Sequence, residues 1–551
     1  DNLAHRPGSW RPAVSEGTGC DNFAHRLRVG GAYCRGMAYE TVTGYCWPQS
    51  VEAGARVALH LSSSGARPVS IEVARLGRRR EVVLSESDIP SDDHPTPTDA
   101  PEHGCRWPVA SEVSVDDEWR SGYYEVLLSI DVDGRRRQSR AFFVVRPDLA
   151  TTTSKILWAI DTNTWHAYND FGGRNLYTGA TQASMLRPMA PGYLYKPPGA
   201  GQRVTSIHPP DPQSASHVGY LRMNHLSPYG GSAGWPNWSE PFIAWAEREG
   251  YDIDVVTNAD LEEHPELLGA DSPYSLYLSI GHDEYWSAPM RDTVEEFIAR
   301  GGHAAFFSGN TSFWQVRLED PTGPEGSGPA ATMVGYKGFF KQDPVFDTDR
   351  QAELTTIWSD HLLERPENHM TGVSGGRGGD HRRGKRATKG AGGYTLHRPE
   401  HWIFDGTGLD YGDLLGAAAT IVGYECDGCD FTYRDGLPYP TGVDGTPIDF
   451  EILGTAPAAH FSRTTASRPP APHEPAEDEF IASRLFDTRD PAAVERITHG
   501  HAVLGTYVSS GGGTVITSGC TDWIWGLAER DRDVEQITRN IFDRLGRGAS
   551  S

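Results

Sequence analysis

The sequence predicts two fold classes in series, an all-β part followed by an α/β part. Short runs that alternate apolar and polar residues fill residues 41–148, and no long helical repeat interrupts them. From residue 149 onward, short apolar strands alternate with amphipathic helices. A chain of 551 residues is long enough for several domains. We therefore expect an immunoglobulin-like β-sandwich at 41–148 and an α/β domain at 149–551, with a mainly parallel sheet covered by helices on both faces.

The N-terminal elements follow from composition and period. Residues 1–40 are polar without a clear period, which is typical of an extended arm. The sandwich is predicted next, because β-rich runs lie between turn residues. These runs are Val57–Leu61, Ile71–Leu76, Tyr123–Val132 and Ala141–Val145. The turn-forming segment Arg146–Asp148 marks the end of this part.

The α/β part is predicted from apolar strands and capped helices. The strands are Ile156–Ile160, Ser275–Ile280, Ala304–Phe307, Ala419–Gly423 and Thr514–Thr517. Helices are predicted to begin at the caps Ser239 and Ser287, and a last helix carries Val534, Ile537, Ile541 and Leu545 on one face. Residues from about 318 to 415 are rich in Gly, Pro and charge and predict a long insertion. Within it, the basic, glycine-rich run Arg377–Lys389 (a loop at about 375–393) predicts a mobile, solvated loop of unassigned role.

The composition excludes several classes of protein. Acidic residues outnumber basic ones by 74 to 50, and this net charge of −24 argues against nucleic acid and anionic membrane surfaces as partners. No run of about 18 apolar residues occurs, so no membrane-spanning helix is predicted. Seven cysteines do not make a disulfide scaffold, and the pair Cys426/Cys429 is interpreted as part of a turn. The chain begins at Asp1 without Met or an apolar leader, which fits a trimmed or processed terminus and leaves the compartment open. A cytoplasmic location is the expectation.

Polar and aromatic residues follow the predicted strands, where an open parallel sheet binds its ligands. Tyr168 and Tyr177 follow the first strand, Asn310 the third and Glu425 the fourth, so that these side chains should converge on one rim. Each has a structural alternative. Tyrosine rings in a glycine-rich loop often simply pack, and Glu425 could cap a helix or pair with an arginine.

The densest of these segments is Gly281–Trp286. His282 and Glu284 are two residues apart, so in an extended loop they point to the same side, roughly 6–7 Å apart at the backbone. Such a pair supplies one metal ligand and one acid/base group, or two metal ligands. The structural alternative is that Glu284 caps the next helix and His282 packs against Trp286.

Several short motifs occur in a specific order along the chain. They are Trp165–Tyr177 (WHAYNDFGGRNLY), Leu186–Pro188, Arg248–Asp252, Gly281–Trp286 (GHDEYW), Phe307–Trp314 (FSGNTSFW), His401–Phe404 and Gly423–Asp427. In this order they resemble the N,N-dimethylformamidase large (β) subunit and its relatives, and the earlier Trp119–Tyr124 resembles the β-domain of that family. The likeness covers most of residues 45–545.

The resemblance implies an α/β domain of the glutamine-amidotransferase type with a mononuclear, non-haem ferric ion (Fe3+) that hydrolyses the C–N bond of a small amide or formamide-type substrate. Matched residue by residue, Glu284 is the glutamate ligand of the iron and Tyr168 one tyrosine ligand. Tyr177 is chosen as the second tyrosine, with another nearby tyrosine as the alternative. The family also implies a homo-oligomer, and a small subunit is a further expected partner.

Three further residues match groups that position water and substrate in the family. Glu425 would accept a proton from the attacking water and return it to the leaving amine. Asn310 would orient the carbonyl or the developing oxyanion, and His282 would do either task. Phenolate and carboxylate oxygens are hard donors that suit Fe3+.

Two other functions fit parts of the sequence. A cysteine hydrolase would use Cys520 or Cys426 as its nucleophile, although neither lies in a Gly-x-Cys-x-Gly turn. A non-catalytic protein that binds a carbohydrate or another ligand would use the tryptophan-rich loops to stack on sugar rings. Two measurements distinguish these two functions from that of a metal-dependent amidohydrolase: the metal content of the pure protein and the effect of substituting Glu425.

Overall fold

The computed structural model describes residues 41–197, 203, 221, 224–322, 328–382, 388–465 and 475–547. Residues 1–40, for which an extended arm is predicted, lie outside the described residues. The described part is a mixed α/β structure in which strands predominate, and this confirms the combination of β and α/β classes that the sequence predicts.

The first described part consists of strands arranged in two sheets. Its elements are β1 Val42–Trp47, β2 Ser50–Glu52, β3 Arg56–Ser63, β4 Val69–Leu76, β5 Arg80–Ile89, α1 Ala100–His103, β6 Val109–Ser114, β7 Gly122–Val132 and β8 Arg135–Arg146. One sheet has the order β1-β3-β6 and the other β2-β8-β7-β4-β5. Leu59 of the first sheet and Val126 and Phe143 of the second are fully buried in one core. The two sheets therefore pack face to face.

The second part alternates strands with helices. Its elements are β9 Ile156–Ile160, α2 Thr162–Tyr168, β10 Gln182–Ser184, α3 Ser239–Glu249, β11 Asp254–Thr257, α4 Asn258–Glu263, β12 Leu276–His282, β13 Tyr285–Ser287, α5 Ala288–Ala299, β14 His303–Gly309, β15 Trp314–Pro321, β16 Ala330–Val334, α6 Asn368–Thr371, β17 Ser374–His381, β18 Tyr394–Leu396, β19 Leu414–Leu415, β20 Tyr424–Gly428, β21 Phe431–Arg434, β22 Leu437–Pro440, β23 Glu451–Ala459, α7 Glu477–Leu485, α8 Pro491–Thr498, β24 His499–Val508, β25 Thr514–Thr517, α9 Trp523–Ala528 and α10 Arg532–Leu545. Short 3-10 helices occur at Pro265–Leu268, Lys337–Gln342, Gln351–Glu353 and Trp402–Phe404.

The main sheet has eleven strands, nine of them along the path β11-β9-β12-β14-β25-β24-β23-β17-β20. The strands from β11 to β25 pair in parallel. The strands from β25 to β20 pair antiparallel. The prediction of a mainly parallel sheet is therefore wrong for this second half. In the described part of this half, α-helices separate only β23 from β24, so the regular strand–helix alternation that identified the parallel half is missing.

Helices cover both faces of the parallel half, as the sequence predicts. Side chains of β9 alternate between two cores, with Trp158 on one face and Leu157 on the other. On the first face α10 buries the predicted apolar stripe. On the second face α5 begins at Ser287, whose side chain accepts a hydrogen bond from the Met290 N–H. Within the described ranges, no helix is long and apolar enough to cross a membrane.

A small sheet of order β10-β16-β15-β13 lies next to the exit of β12. Its strands β13 and β15 pair in parallel and place Tyr285 opposite Trp314. The first part of the chain also supports this region, because Gln49 Oε1 lies 2.8 Å from Nε2 of His166 in α2. Tyr123 of β7 stacks on Trp235 with ring centroids 3.9 Å apart. The exit loops thus rest on elements from both parts.

The strand predicted at Ala419–Gly423 is wrong, because these residues form turns and β20 begins at Tyr424. The turn predicted around Cys426 is wrong for the same reason, since Cys426 lies inside β20. Cys426 pairs with Cys520 in an isolated antiparallel bridge just after β25. The apolar residues before Tyr424 are buried in the core without forming a strand, and periodicity alone does not distinguish these cases.

The prediction of a solvated loop at Arg377–Lys389 is wrong for its first residues. Ser374–His381 form β17, a largely buried strand of the main sheet, while residues 383–387 lie outside the described residues. The glycines permit close approach of neighbouring strands, since a Cβ on Gly378 would lie 1.7 Å from the carbonyl oxygen of Cys426. Glycine content here reflects packing and not mobility.

A Gly378→Ala substitution should therefore destabilise the protein strongly, by about 3 kcal/mol, because the added methyl group must displace the backbone of β20. The measurement is the midpoint of thermal unfolding. Gly338→Ala is the matched control, since a Cβ there meets nothing within 4 Å. Equal midpoints for the two variants would contradict this account of β17.

Candidate active site

The loops that leave two neighbouring strands bring the first site residues together. β9 leads into α2, which ends at Tyr168, and Tyr177 lies in the turns that follow. β12 ends at His282, and Glu284 lies just before β13. Because β9 and β12 are parallel neighbours, these exits meet at the same edge of the sheet.

Three side-chain oxygens converge at this edge. Tyr177 Oη lies 2.7 Å from Tyr168 Oη and donates a hydrogen bond to Glu284 Oε1 at 2.9 Å. Tyr177 Oη is also 3.2 Å from Glu284 Oε2. The rings of the two tyrosines are adjacent, with centroids 4.5 Å apart. The two tyrosines and the glutamate named from the sequence thus form one oxygen-rich cluster.

Glu284 is fixed by two neighbours. Its Oε1 accepts a hydrogen bond from Trp314 Nε1 at 2.8 Å, and its backbone N–H donates to Thr164 Oγ1 at 3.0 Å. The alternative that Glu284 caps the following helix is wrong, because Ser287 is the N-cap of α5. The Glu284 carboxylate therefore points into the cluster and not toward the helix.

His282 lies between two carboxylates. Its Nδ1 is 2.7 Å from the carbonyl oxygen of Ser232, and its Nε2 lies 2.8 Å from Glu425 Oε2 and 3.3 Å from Glu284 Oε2. The ring is completely buried. Although burial opposes the charged form, the carboxylates of Glu425 and Glu284 raise the pKa of His282 to about 9. The His282 ring thus links the oxygen cluster to Glu425.

Asn310 and Glu425 meet on the other side of His282. Asn310 Nδ2 donates to Glu425 Oε2 at 2.8 Å. Two residues further along β20, the buried Asp427 accepts hydrogen bonds from the backbone N–H groups of Asn310 at 2.8 Å and Thr311 at 3.1 Å. These bonds hold Asn310 in a left-handed conformation with φ of 52°. Within β20, Glu425 therefore contacts the side chain of Asn310, and Asp427 contacts its backbone.

All six residues named from the sequence lie together, but Glu425 belongs to a different structural element from the one that the sequence predicts. It lies inside the antiparallel strand β20 and not at the exit of a parallel strand. The hydrogen bond from the Thr521 N–H to the Glu425 carbonyl, at 3.1 Å, ties β20 to the exit of β25. This contact brings the Glu425 side chain to the rim.

Two residues of the site were missed from the sequence. Tyr285 donates a hydrogen bond from its hydroxyl to Tyr177 Oη at 2.9 Å. Lys337 Nζ donates to Tyr285 Oη at 2.7 Å and lies 3.3 Å from the centroid of the Tyr177 ring. Tyr285 belongs to the motif Gly281–Trp286 and could have been found there. Lys337 lies in the predicted insertion, and no motif marks it.

The electrostatics of the cluster favour neutral phenols when no cation is close. Burial raises the pKa of Tyr168, Tyr177 and Tyr285 well above the usual value, and the Glu284 carboxylate adds to this effect. Burial also lowers the pKa of Lys337 to about 7, against the opposing influence of the carboxylates. A cation bound beside the phenols would lower their pKa and favour the phenolate form.

The side chains include a set that could hold a metal ion. His282, Glu284 and Glu425 each place one donor atom within 4.8 Å of the others. The phenol oxygens of Tyr168 and Tyr177 border the same space, as their contacts with each other and with Glu284 show. The available donors are hard oxygens and one imidazole nitrogen.

The two cysteines considered as nucleophiles are not accessible. Cys520 is 0% and Cys426 1% exposed. Burial raises the pKa of Cys520 to about 12 and that of Cys426 well above its usual value. A buried thiol that stays protonated is a poor nucleophile. The structure therefore argues against the cysteine hydrolase alternative.

Comparisons with known proteins agree with the motifs. The sequence model of the family described as "N,N-dimethylformamidase beta subunit-like, C-terminal" matches residues 70–536. The N,N-dimethylformamidase beta subunit of Paracoccus aminophilus is 23% identical over 487 residues, which are 80% of this chain and 54% of that protein. The subunit of the same name from Alcaligenes sp is 22% identical over 489 residues, again 80% of this chain and 54% of that protein.

The match spans about half the length of these curated relatives. Among solved structures, a family 123 glycoside hydrolase from Clostridium perfringens, described in a study of glycolipid glycan hydrolysis, overlaps with 22% of this chain and 27% of its own. Its TM-score of 0.10 at 10% identity is too low to bear on the fold. The family match, in contrast, covers most of the chain and includes all six site residues. This chain belongs to the N,N-dimethylformamidase beta subunit-like family.

Proposed function

We propose that this chain is a metal-dependent amidohydrolase that cleaves the C–N bond of a small amide or formamide-type substrate, with a mononuclear ferric ion held by Tyr168, Tyr177 and Glu284. The observation that carries the proposal is the convergence of three oxygens from separate segments, with Tyr177 Oη 2.7 Å from Tyr168 Oη and 2.9 Å from Glu284 Oε1. A packing role for the tyrosines would not require the Tyr177 hydroxyl to meet both a second phenol and a carboxylate.

The donor set fits this ion. Two phenolates and one carboxylate are hard oxygen donors, and together they neutralise a charge of 3+. Burial and the Glu284 carboxylate raise the pKa of Tyr168 and Tyr177, so ionisation of these phenols depends on the compensating charge of a bound cation. When bound, such an ion supplies a Lewis acid for the amide carbonyl and lowers the pKa of water.

The other side chains would carry out the proton transfers. Glu425 accepts a proton from the attacking water and returns it to the leaving nitrogen. His282 and Asn310, which both contact Glu425 Oε2, orient this carboxylate. Because an amide NH2 group carries two N–H donors, Asn310 is also suited to orient the substrate carbonyl or to stabilise the developing oxyanion.

The proposal includes the assembly and the fold relationships of the chain. The curated relatives are named beta subunits, and a small subunit and a homo-oligomer are proposed here as partners. The glutamine-amidotransferase relationship is proposed for the α/β part and is supported by its parallel half-sheet with the site at the strand exits. The immunoglobulin-like relationship is proposed for the two facing sheets of 42–146.

Elemental analysis of the purified chain together with its visible spectrum tests the proposal. We expect about one iron per chain and an absorption band in the visible range, because phenolate bound to Fe3+ absorbs there. With N,N-dimethylformamide as the probe, release of dimethylamine should depend on the bound iron. A protein treated with a strong chelator is the control and should lose band and activity together. Absence of metal, or iron without a visible band, would contradict the ligand assignment.

A further inference from the structure

Lys337 is an unusual residue for the interior of a protein. It is only 8% exposed, although a charged lysine side chain normally stays in water. Its Nζ lies 2.7 Å from Tyr285 Oη, 3.3 Å from the centroid of the Tyr177 ring and 4.7 Å from that of Trp314. Removing the Lys337 side chain from water costs free energy, and its contacts with the site residues offset this cost.

The backbone conformation and hydrogen bonds around Lys337 fix the position of this residue. β16 ends at Val334, and a 3-10 helix begins at Lys337 with a left-handed φ of 54°. Such a conformation is disfavoured for residues other than glycine and persists where surrounding contacts impose it. The Lys337 N–H donates to the Thr355 carbonyl at 2.9 Å, and the Tyr336 N–H donates to Thr355 Oγ1 at 2.9 Å. These two bonds fix the lysine at the entrance to the helix.

A chain of hydrogen bonds leads from Lys337 to the oxygen cluster. Lys337 Nζ donates to Tyr285 Oη, and the Tyr285 hydroxyl donates to Tyr177 Oη at 2.9 Å. The Tyr177 oxygen is one of the three that the proposed function assigns to the metal. With Lys337 as donor, the Tyr285 hydroxyl proton is directed at Tyr177, since a hydroxyl that accepts from an amine points its own proton elsewhere.

We propose that Lys337 acts through Tyr285 as a positioning residue for Tyr177 and reduces the electron density that the Tyr177 oxygen gives to the metal. This inference rests on the proposed function. A phenolate oxygen that receives a hydrogen bond is a weaker donor, and this leaves the metal a stronger Lewis acid toward the amide carbonyl. Lys337 would thus adjust the reactivity of the site without touching the substrate.

The experiment compares Lys337→Met and Tyr285→Phe with the unchanged chain. Methionine keeps much of the apolar stem but donates no hydrogen bond, and phenylalanine keeps the ring but lacks the hydroxyl. Lys341→Met is the matched control, because Lys341 lies on the same 3-10 helix and is exposed. The readouts are iron per chain, the wavelength of the visible band, and kcat and KM with N,N-dimethylformamide.

We expect both site variants to keep their iron and to shift the band to longer wavelength, because a more electron-rich phenolate transfers charge to Fe3+ at lower energy. We also expect kcat to fall about tenfold with KM changed less than about twofold. Lys341→Met should match the unchanged chain in every readout. A merely structural lysine would alter unfolding but not the band.

An unchanged band in iron-loaded Lys337→Met or in Tyr285→Phe would overturn this inference and leave the proposed function intact. An unchanged chain that holds no iron overturns both. If Lys337→Met fails to fold, Tyr285→Phe still decides the question, because it removes the same hydrogen bond to Tyr177 and leaves the lysine in place.

Discussion

Replacing Glu284 by alanine is expected to remove bound iron and amide hydrolysis together. Glu284 is 2% exposed and contributes the only carboxylate assigned to the metal, so its loss leaves two phenols whose pKa burial already raises. Without the metal the reaction lacks its Lewis acid, and kcat/KM should fall by roughly 1,000-fold or more. The measurements are iron per chain and the rate of dimethylamine release.

A matched control separates this effect from a general loss of structure. Glu296→Ala removes a carboxylate from α5, where the side chain is 72% exposed and pairs only with Arg300 among the salt bridges of the described residues. This variant should keep iron and activity at the level of the unchanged chain. If Glu284→Ala retains its full iron content, Glu284 is not a ligand, and a set that uses His282 and Glu425 becomes the better assignment.

Replacing Glu425 by glutamine is expected to separate metal binding from turnover. Glutamine keeps the size of the side chain but cannot accept a proton from water at neutral pH. We expect the full iron content and an unchanged visible band, with kcat lower by about 100- to 10,000-fold, the usual contribution of a general base. Iron analysis, the visible spectrum and kcat are measured on the same preparation.

Glu451→Gln serves as the control for this substitution, since Glu451 is an exposed residue of β23 and should tolerate the change without loss of activity. Full turnover by the Glu425→Gln protein would contradict the role of Glu425 as the base. A chain that holds no metal, and that binds a carbohydrate equally well with either residue at 425, would instead support the alternative of a non-catalytic binding protein.

Local sequence patterns predicted four of the five strands of the parallel half, β9, β12, β14 and β25, but not the edge strand β11 at Asp254–Thr257. The apolar run Ile156–Ile160 coincides with β9, and Thr514–Thr517 coincides with β25. The cap at Ser287 and the apolar stripe of the last helix also appear as predicted, whereas the cap predicted at Ser239 is wrong, because Trp238 is the N-cap of α3 and Ser239 is its first residue. These features are encoded by neighbours along the chain, because period and capping depend on residues only a few positions apart.

The antiparallel half could not be predicted in this way. Glycines 375, 376, 378 and 379 look like a flexible loop in the sequence, yet they lie in strand β17. A Cβ on Gly378 would lie 1.7 Å from the carbonyl oxygen of Cys426, and a Cβ on Gly379 would lie 2.6 Å from the carbonyl carbon of Ala459, so the neighbouring strands leave no room for a side chain at these two positions. Glu425 was associated with the rim through an incorrect strand, whereas the structure places it in β20, which pairs with β17 and forms an isolated backbone bridge to Cys520 just after β25. Both features depend on contacts between distant segments.

The sequence by itself determined four strands of the parallel half and, through the family resemblance, the six residues proposed for the site. Tertiary structure alone decided that β20 carries Glu425 to this edge and that Lys337, more than 50 residues after Glu284, lies within hydrogen-bonding distance of Tyr285. The physical reason is that helical period and capping depend on residues close together in the sequence. The side chains that surround a buried charge come from distant segments, and only the packing of the folded chain brings them together.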